Sequence, residues 1–287
     1  MQQHRGEHSL EVLACALNVT RSGFYAWLRS QNQNSPRKQA QQELDAAVAE
    51  CFRQSKGRYG AERLQVDLSE LGRNHDIKTI RASMKRQGLI PKAAQRFKVT
   101  TDSNHTKPVA PNLLDQDFSA ECPNQKWAGD ITYLYTSEGW LYLAVIIDLH
   151  SRAVIGWSMS ERMTAKLVND ALLMALWQRK FPEGVIVHSD QGSQYASDLY
   201  RGTLADHGLI QSMSRKGNCW DNACVESFFH SMKVEALIEE PLVNRKEMRQ
   251  RVFEYIEVDY NRTRRHSALG FISPEAFEQQ TLANSSV

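Results

Sequence analysis

Three carboxylates stand in segments that would hold them still. Asp130 lies within Lys126-Trp127-Ala128-Gly129-Asp130-Ile131-Thr132-Tyr133-Leu134, an alternating stretch that predicts a strand. Asp190 follows Val185-Ile186-Val187-His188-Ser189, which predicts a buried strand with an acid at its C-terminal end. Glu226 lies in Asp221–Lys233, which predicts a helix. Carboxylate oxygens suit hard divalent cations such as Mg²⁺, held by one or two acids plus substrate phosphate. Two such ions about 4 Å apart can activate an attacking oxygen and stabilise a leaving one at phosphorus. The chemistry predicted for Asp130, Asp190 and Glu226 is therefore metal-assisted phosphoryl transfer.

Other polar residues fall near these acids. At about 100° per residue, His230 lies roughly 40° from Glu226 and Lys233 within about 20° of it, so the three make one polar stripe. An amphipathic helix with a charge pair would show the same stripe. His188 shares a strand face with Asp190, either touching the site or serving as a core histidine. Arg215 and Lys216 occupy the loop before the Glu226 helix and could contact DNA. Asp221 is expected to cap that helix, and Asp148 to order the turn at His150–Arg152.

Bringing the acids together requires a particular set of elements. Strands are predicted at Trp127–Tyr135, Trp140–Asp148 and Ala153–Met159, the first two joined by a turn at Ser137-Glu138-Gly139. A helix (Thr164–Arg179), the Val185–Ser189 strand, a helix (Tyr195–His207), a short strand at Gly208–Ser212 and the Glu226 helix follow. That order is the ribonuclease-H-like one: a mixed five-stranded sheet with helices on both faces. It makes the strands of Asp130 and Asp190 neighbours. The 35 residues between Asp190 and Glu226 suffice for one helix, one strand and a loop.

The front of the chain reads as helices. Leu10–Leu17, a turn at Asn18-Val19-Thr20 and a helix from Arg21 or Ser22 resemble a helix-turn-helix, with Thr20 and Arg21 where groove-reading residues sit; an ordinary helical hairpin is the alternative. A second such unit has the helix Ile77–Gln87, ended by Gly88 and Pro91. Its outward cations Lys78, Arg81, Lys85 and Arg86 are candidates for phosphate contact. The first 110 residues hold 18 basic and 10 acidic residues, against 17 and 23 in the remainder. A polyanionic partner fits this asymmetry, as does a solvated helical surface. The expected domains are a helix-turn-helix-like segment (1–35), a second helix-turn-helix DNA-binding domain (40–95), a linker (96–124), the catalytic core (125–240) and a C-terminal helical basic tail (241–287). In the tail, Arg264 and Arg265 are DNA-contact candidates. Five cysteines without CxxC spacing suit free thiols in a reducing cytosol. The absence of a roughly 20-residue apolar run or signal segment likewise suits a cytoplasmic, nucleoid-associated protein.

The motifs Trp127–Tyr133, His188–Tyr195 (His-Ser-Asp-Gln-Gly-Ser-Gln-Tyr), Asp221–Phe229, Lys233, Tyr260-Asn261 and Arg264–Gly270 together resemble a transposase of the insertion-sequence-three family, its B-frame product. This family is similar to retroviral integrases among the DDE recombinases. Lys56-Gly57-Arg58-Tyr59-Gly60 resembles its helix-turn-helix segment. The 35-residue interval and the lysine seven beyond the glutamate are family features. The resemblance implies Mg²⁺-dependent cleavage at terminal inverted repeats, with Mn²⁺ substituting and two ions per site, and transfer of the 3′-OH to a new phosphodiester. It further implies double-stranded DNA partners, a homodimer or larger assembly, and often a frameshift fusion to an upstream A-frame product carrying a coiled coil. No heptad run is present in this sequence. Two alternatives stand beside it: a DNA-binding regulator with an inactive core, and a ribonuclease-H-like nuclease or resolvase that cuts without joining.

Overall fold

The computed structural model describes residues 1–4, 6–32, 35–92, 109–215, 219–237 and 241–285. The chain divides into two compact units, Met1–Pro91 and Lys92–Val287.

The first unit is helical: α1 (Leu10–Ala16), α2 (Arg21–Asn32), α3 (Pro36–Gln54), α4 (Ala61–Glu70) and α5 (Ile77–Gln87). Helix α3 starts within the polar stretch 31–40, because Ser35 accepts from the Lys38 N–H as its cap and Pro36 fits the first turn. Leu44, Val48 and Cys51 of α3 pack on Leu64 and Leu68 of α4 and on Ile80 and Met84 of α5. The Asp76 side chain caps α5, and Gly88 ends it at φ 66°, a left-handed conformation cheap for glycine.

The second unit is built on a five-stranded sheet. Its strands are β1 (Lys126–Thr136), β2 (Gly139–Asp148), β3 (Val154–Ser160), β4 (Ile186–Ser189) and β5 (Ile210–Met213), in spatial order β3-β2-β1-β4-β5. The first three are antiparallel, while β4 and β5 run parallel to β1. This is the ribonuclease-H-like arrangement that the element order predicts.

Strand alternation feeds two cores. Leu134, Leu143, Val145 and Ile147 face α8 (Ala223–Met232) and the helix α9 (Arg245–Phe253). Trp127, Ala144, Ile146 and Ile155 face α6 (Ala165–Gln178) and α7 (Asp198–Asp206). Helix α6 lies so close to β3 that a Cβ on Gly156 would meet the Ala171 carbonyl oxygen at 2.2 Å. Helix α7 begins three residues later than the pattern predicts, because Ser197 caps it through the Tyr200 N–H and Tyr195 is drawn into the preceding turn by a bond to the Gly192 carbonyl.

The flanks of the sheet belong to the same body. From Val109 the expected linker runs along β5: the Leu113 N–H donates to Ser212 Oγ at 2.9 Å, and Leu114 is buried. Beyond residue 241, α9 continues as a π-helix (Glu254–Tyr260), and Met248, Val252, Tyr255 and Tyr260 join the core beneath α8. Ser273 caps the last helix, α10 (Pro274–Ser285), through the Ala276 N–H. Among the described residues, no helix is long and apolar enough to cross a membrane.

Candidate active site

Sheet register positions the first two acids. Gly129 of β1 pairs with Ser189 of parallel β4. Asp130 and Asp190 are each one residue further, so they stand level on adjacent strands, which lie about 4.8 Å apart. The Asp190 carboxylate also closes its own turn, accepting the Gly192 N–H at 2.9 Å. A Cβ on Gly192 would lie 2.8 Å from that oxygen, so any larger residue there would displace the Asp190 carboxylate. Gly129 has a similar constraint: a Cβ would press on Ile146 at 2.8 Å.

Glu226 arrives on α8, whose opposite face buries Val225, Phe228, Phe229 and Met232. The start of α8 is tied to β1 beside the site, since the buried Asn222 Nδ2 donates to the Gly129 carbonyl at 3.3 Å. Asn222, not Asp221, is the N-cap residue, and neither side chain makes the capping bond. Asp221 is wholly buried and holds Arg215 through its backbone N–H, Nε and Nη2, and it also accepts from Asn112 and Gln116. These bonds lower its pKa to about 2, Arg215 contributing most. The expected cap is thus a clamp that organises the loop before α8. An asparagine beside the helix start was the available signal for Asn222.

The electrostatics couple the acids. Burial raises the Asp130 pKa well above the ordinary range, and the charges of Asp190 and Glu226 add to it; the Ile131 N–H and Lys233 oppose the rise. Burial also raises Glu226. Lys233 begins the π-helical turn that follows α8, with Nζ 4.9 Å from the Tyr133 ring centroid. Burial lowers its pKa, and the Asp130 charge resists this. His230 is exposed on α8. Tyr195 is buried under the site, with its hydroxyl making no hydrogen bond among the described residues. Tyr195 precedes α7 and lies outside the helix in which the pattern places it, so helical spacing gives no sign of this placement.

Among the described residues, no three His, Cys, Asp or Glu side chains draw together tightly enough to enclose an ion. The donor set nevertheless fits one. It is all carboxylate oxygen, and Asp130 bears a proton affinity raised by two neighbouring negative charges, which a hard cation would relieve.

The remaining candidates divide. His188 is fully buried, bonds Ser212 Oγ through Nδ1 at 2.8 Å, and has its pKa lowered by burial to about 4. It is the neutral core histidine. Arg264, expected to face DNA, is instead buried: its Nε and Nη2 grip Glu235, and Nη2 also reaches Ser231. It stitches the tail to the π-helical turn. Arg265 donates to the Phe271 carbonyl. Arg215 is half-exposed while paired to Asp221, and Lys216 lies outside the described residues. In the first unit, Arg86 is bound to Asp45, Arg81 meets Glu62 at 3.4 Å, and Lys78 and Lys85 are exposed. Thr20 caps α2 through the Gly23 N–H, and Arg21 pairs with Glu11.

The Integrase core domain family matches residues 120–219, and a second family of the same description matches 226–282. "Transposase InsF for insertion sequence IS3A" from Escherichia coli (strain K12) is 55% identical over 283 residues, covering 99% of this chain and 98% of that protein. The chain belongs to the insertion-sequence-three transposase family. The chain is also similar to the 31 kDa protein of insertion element IS600 from Shigella sonnei, 45% identical over 262 residues, 91% of this chain and 96% of that one. Among solved structures, the HTLV-2 integrase catalytic core domain in complex with magnesium (trimeric form) is similar at 17% identity and TM-score 0.41, covering 56% of this chain and 99% of that one.

Proposed function

We propose that this chain is a DNA transposase that cuts the ends of an insertion sequence and joins the freed 3′-OH to a new phosphodiester. The observation that carries the reading is the meeting of Asp130 and Asp190 on adjacent strands, with Glu226 close enough to perturb Asp130. Asp130, Asp190 and Glu226 hold divalent cations, Mg²⁺ or Mn²⁺, two per site. Bound there, the ions would polarise the attacking and leaving oxygens at phosphorus. The protein's own part is positioning. The β1–β4 register fixes the two aspartates, Gly192 fixes the Asp190 rotamer, and Asn222 fixes the origin of the Glu226 helix. Lys233 supplies positive charge to the phosphate near the acids, and exposed His230 lies along the same strip. Lys78, Arg81, Lys85 and Arg86, together with Thr20 and Arg21, track duplex DNA in the helical unit, and Arg215 and Lys216 contact it as well.

Two DNA ends must be held for joining, so a homodimer or larger assembly is proposed, acting alone or as a fusion with an upstream A-frame product. A cytoplasmic, nucleoid-associated location goes with this reading. Family membership over 99% of the chain favours this over a resolvase or an inactive regulator. The test is incubation with labelled inverted-repeat ends and Mg²⁺ or Mn²⁺, scoring nicked and joined products. Asp130→Asn, Asp190→Asn and Glu226→Gln should each abolish both products, about 10³-fold or more by analogy with loss of other electrostatic groups, and leave end binding measurable. Full strand transfer by any of the three would refute the assignment.

A further inference from the structure

A groove of about 260 Å³ opens beside Lys233, where the strip of polar residues from α8 ends. Three large aromatic side chains at the tip of the β1–β2 hairpin form one wall. Tyr133, Tyr135 and Trp140 are 43%, 58% and 45% exposed. They pack edge to face, with Trp140 5.2 Å from Tyr133 and 5.0 Å from Tyr135 between ring centroids. Leu242 also lines the groove, and the two charged side chains among the described lining residues, Lys233 and Arg251, are both cations.

This combination has a chemical meaning. Clustered aromatic rings left in water are unfavourable unless something covers them. Aromatic platforms flanked by cations are how proteins hold unpaired nucleotides, with rings stacking the base and cations meeting the backbone. A duplex hides its base faces, so these rings can be used only by a base taken out of the stack. Tyr133 is three residues along β1 from Asp130, about 10 Å, or roughly three nucleotide steps at 3.4 Å each.

We propose that this groove receives one unstacked nucleobase from within about three nucleotides of the scissile phosphate, held against Trp140 and Tyr135. The proposal rests on the transposase reading. It adds that the DNA end is opened, not merely approached, before it is cut.

The test uses the full-length protein and labelled ends carrying a single abasic site at each of the three nucleotides on either side of the cut. On intact ends, Trp140→Ala should lower cleavage roughly 5- to 100-fold, the scale of losing one base–aromatic stack. At one position the abasic site should cost the wild type a similar factor and cost Trp140→Ala nothing further. A 5-iodouracil at that position should photocrosslink to Trp140 or Tyr135. Trp140→Phe should restore most activity, which separates stacking from misfolding. The proposal is overturned if Trp140→Ala cuts like wild type, or if the two losses multiply at every position. It is also overturned if Trp140→Ala dissociates an assembly that the wild type forms without DNA, since the groove would then be filled by a second copy. Were Asp190→Asn inactive and wild type active while Trp140→Ala was unaffected, only the groove proposal would fall. If wild-type protein cut no end with either metal, the transposase reading would fall and the groove with it.

Discussion

At Asp130 the chain keeps a half-buried carboxylate beside two others, and both burial and the charges of Asp190 and Glu226 raise its proton affinity. The folded state therefore holds this proton to higher pH than the unfolded chain does. Its stability falls as pH rises from about 4 through the raised value. Asp130→Asn should raise Tm at pH 7 by about 2–4 °C, corresponding to about 1 kcal/mol, and the gain should shrink toward pH 4. Mg²⁺ should raise the Tm of the wild type more than that of the variant. Asp221 has the opposite sign. Its pKa is lowered to about 2 by Arg215 and neighbouring donors, so its contribution is complete above about pH 4 and is lost as pH falls toward 2. Because Arg215 is half-exposed, about 1–2 kcal/mol is expected. Denaturant titrations of Asp221→Asn and wild type should differ by that amount at pH 7 and converge near pH 2.

At the scale of elements, the turn after α8 is fixed by a buried ion pair. Glu235 lies on the π-helical segment Lys233–Leu237 that also carries Lys233, and it accepts from Arg264 and from the Tyr255 hydroxyl at 3.0 Å. The segment after α8, the π-helix after α9 and the tail are thus joined through one carboxylate. Removing one member of such a pair strands a buried charge, whereas removing both does not. Arg264→Met should cost about 3–5 kcal/mol in urea denaturation, and Glu235→Met with Arg264→Met should recover a large part of it. The salt dependence of DNA binding should be the same in the folded double variant as in wild type. A shallower slope would return Arg264 to the DNA surface.

For the whole molecule, the chain folds as two compact units, Met1–Pro91 and Lys92–Val287. The helical unit carries the excess of positive charge, and the sheet-based unit carries the acids. Phosphate contacts give binding that weakens as salt displaces them, each neutralised phosphate adding about 0.9 to the slope. Lys78→Ala with Lys85→Ala should weaken end binding at moderate salt and reduce that slope by about 2, measured by titration at several salt concentrations. Cleavage at saturating DNA should be unchanged.

The sequence alone carries the strand and helix order, the sheet topology that follows from it, and the three acids as candidates. Those depend on local patterns: alternation in 126–136, an apolar run ending at an acid in 185–190, and helical spacing around Glu226. It also determined the end of α5, since Gly88 alone can turn the chain there cheaply. Only the tertiary structure decided the fate of residues whose roles depend on distant partners. Asp221 looked like a cap because it precedes a helix, but Arg215, Asn112 and Gln116 fold back to claim it. Arg264 looked like a surface cation because arginines usually are, but Glu235, 29 residues earlier, buries it. The segment from Val109 looked like a linker because it is polar and rich in proline, yet β5 gives it hydrogen bonds. Charge and polarity are legible one residue at a time; whether a charge meets water or a partner is settled only when the chain closes on itself.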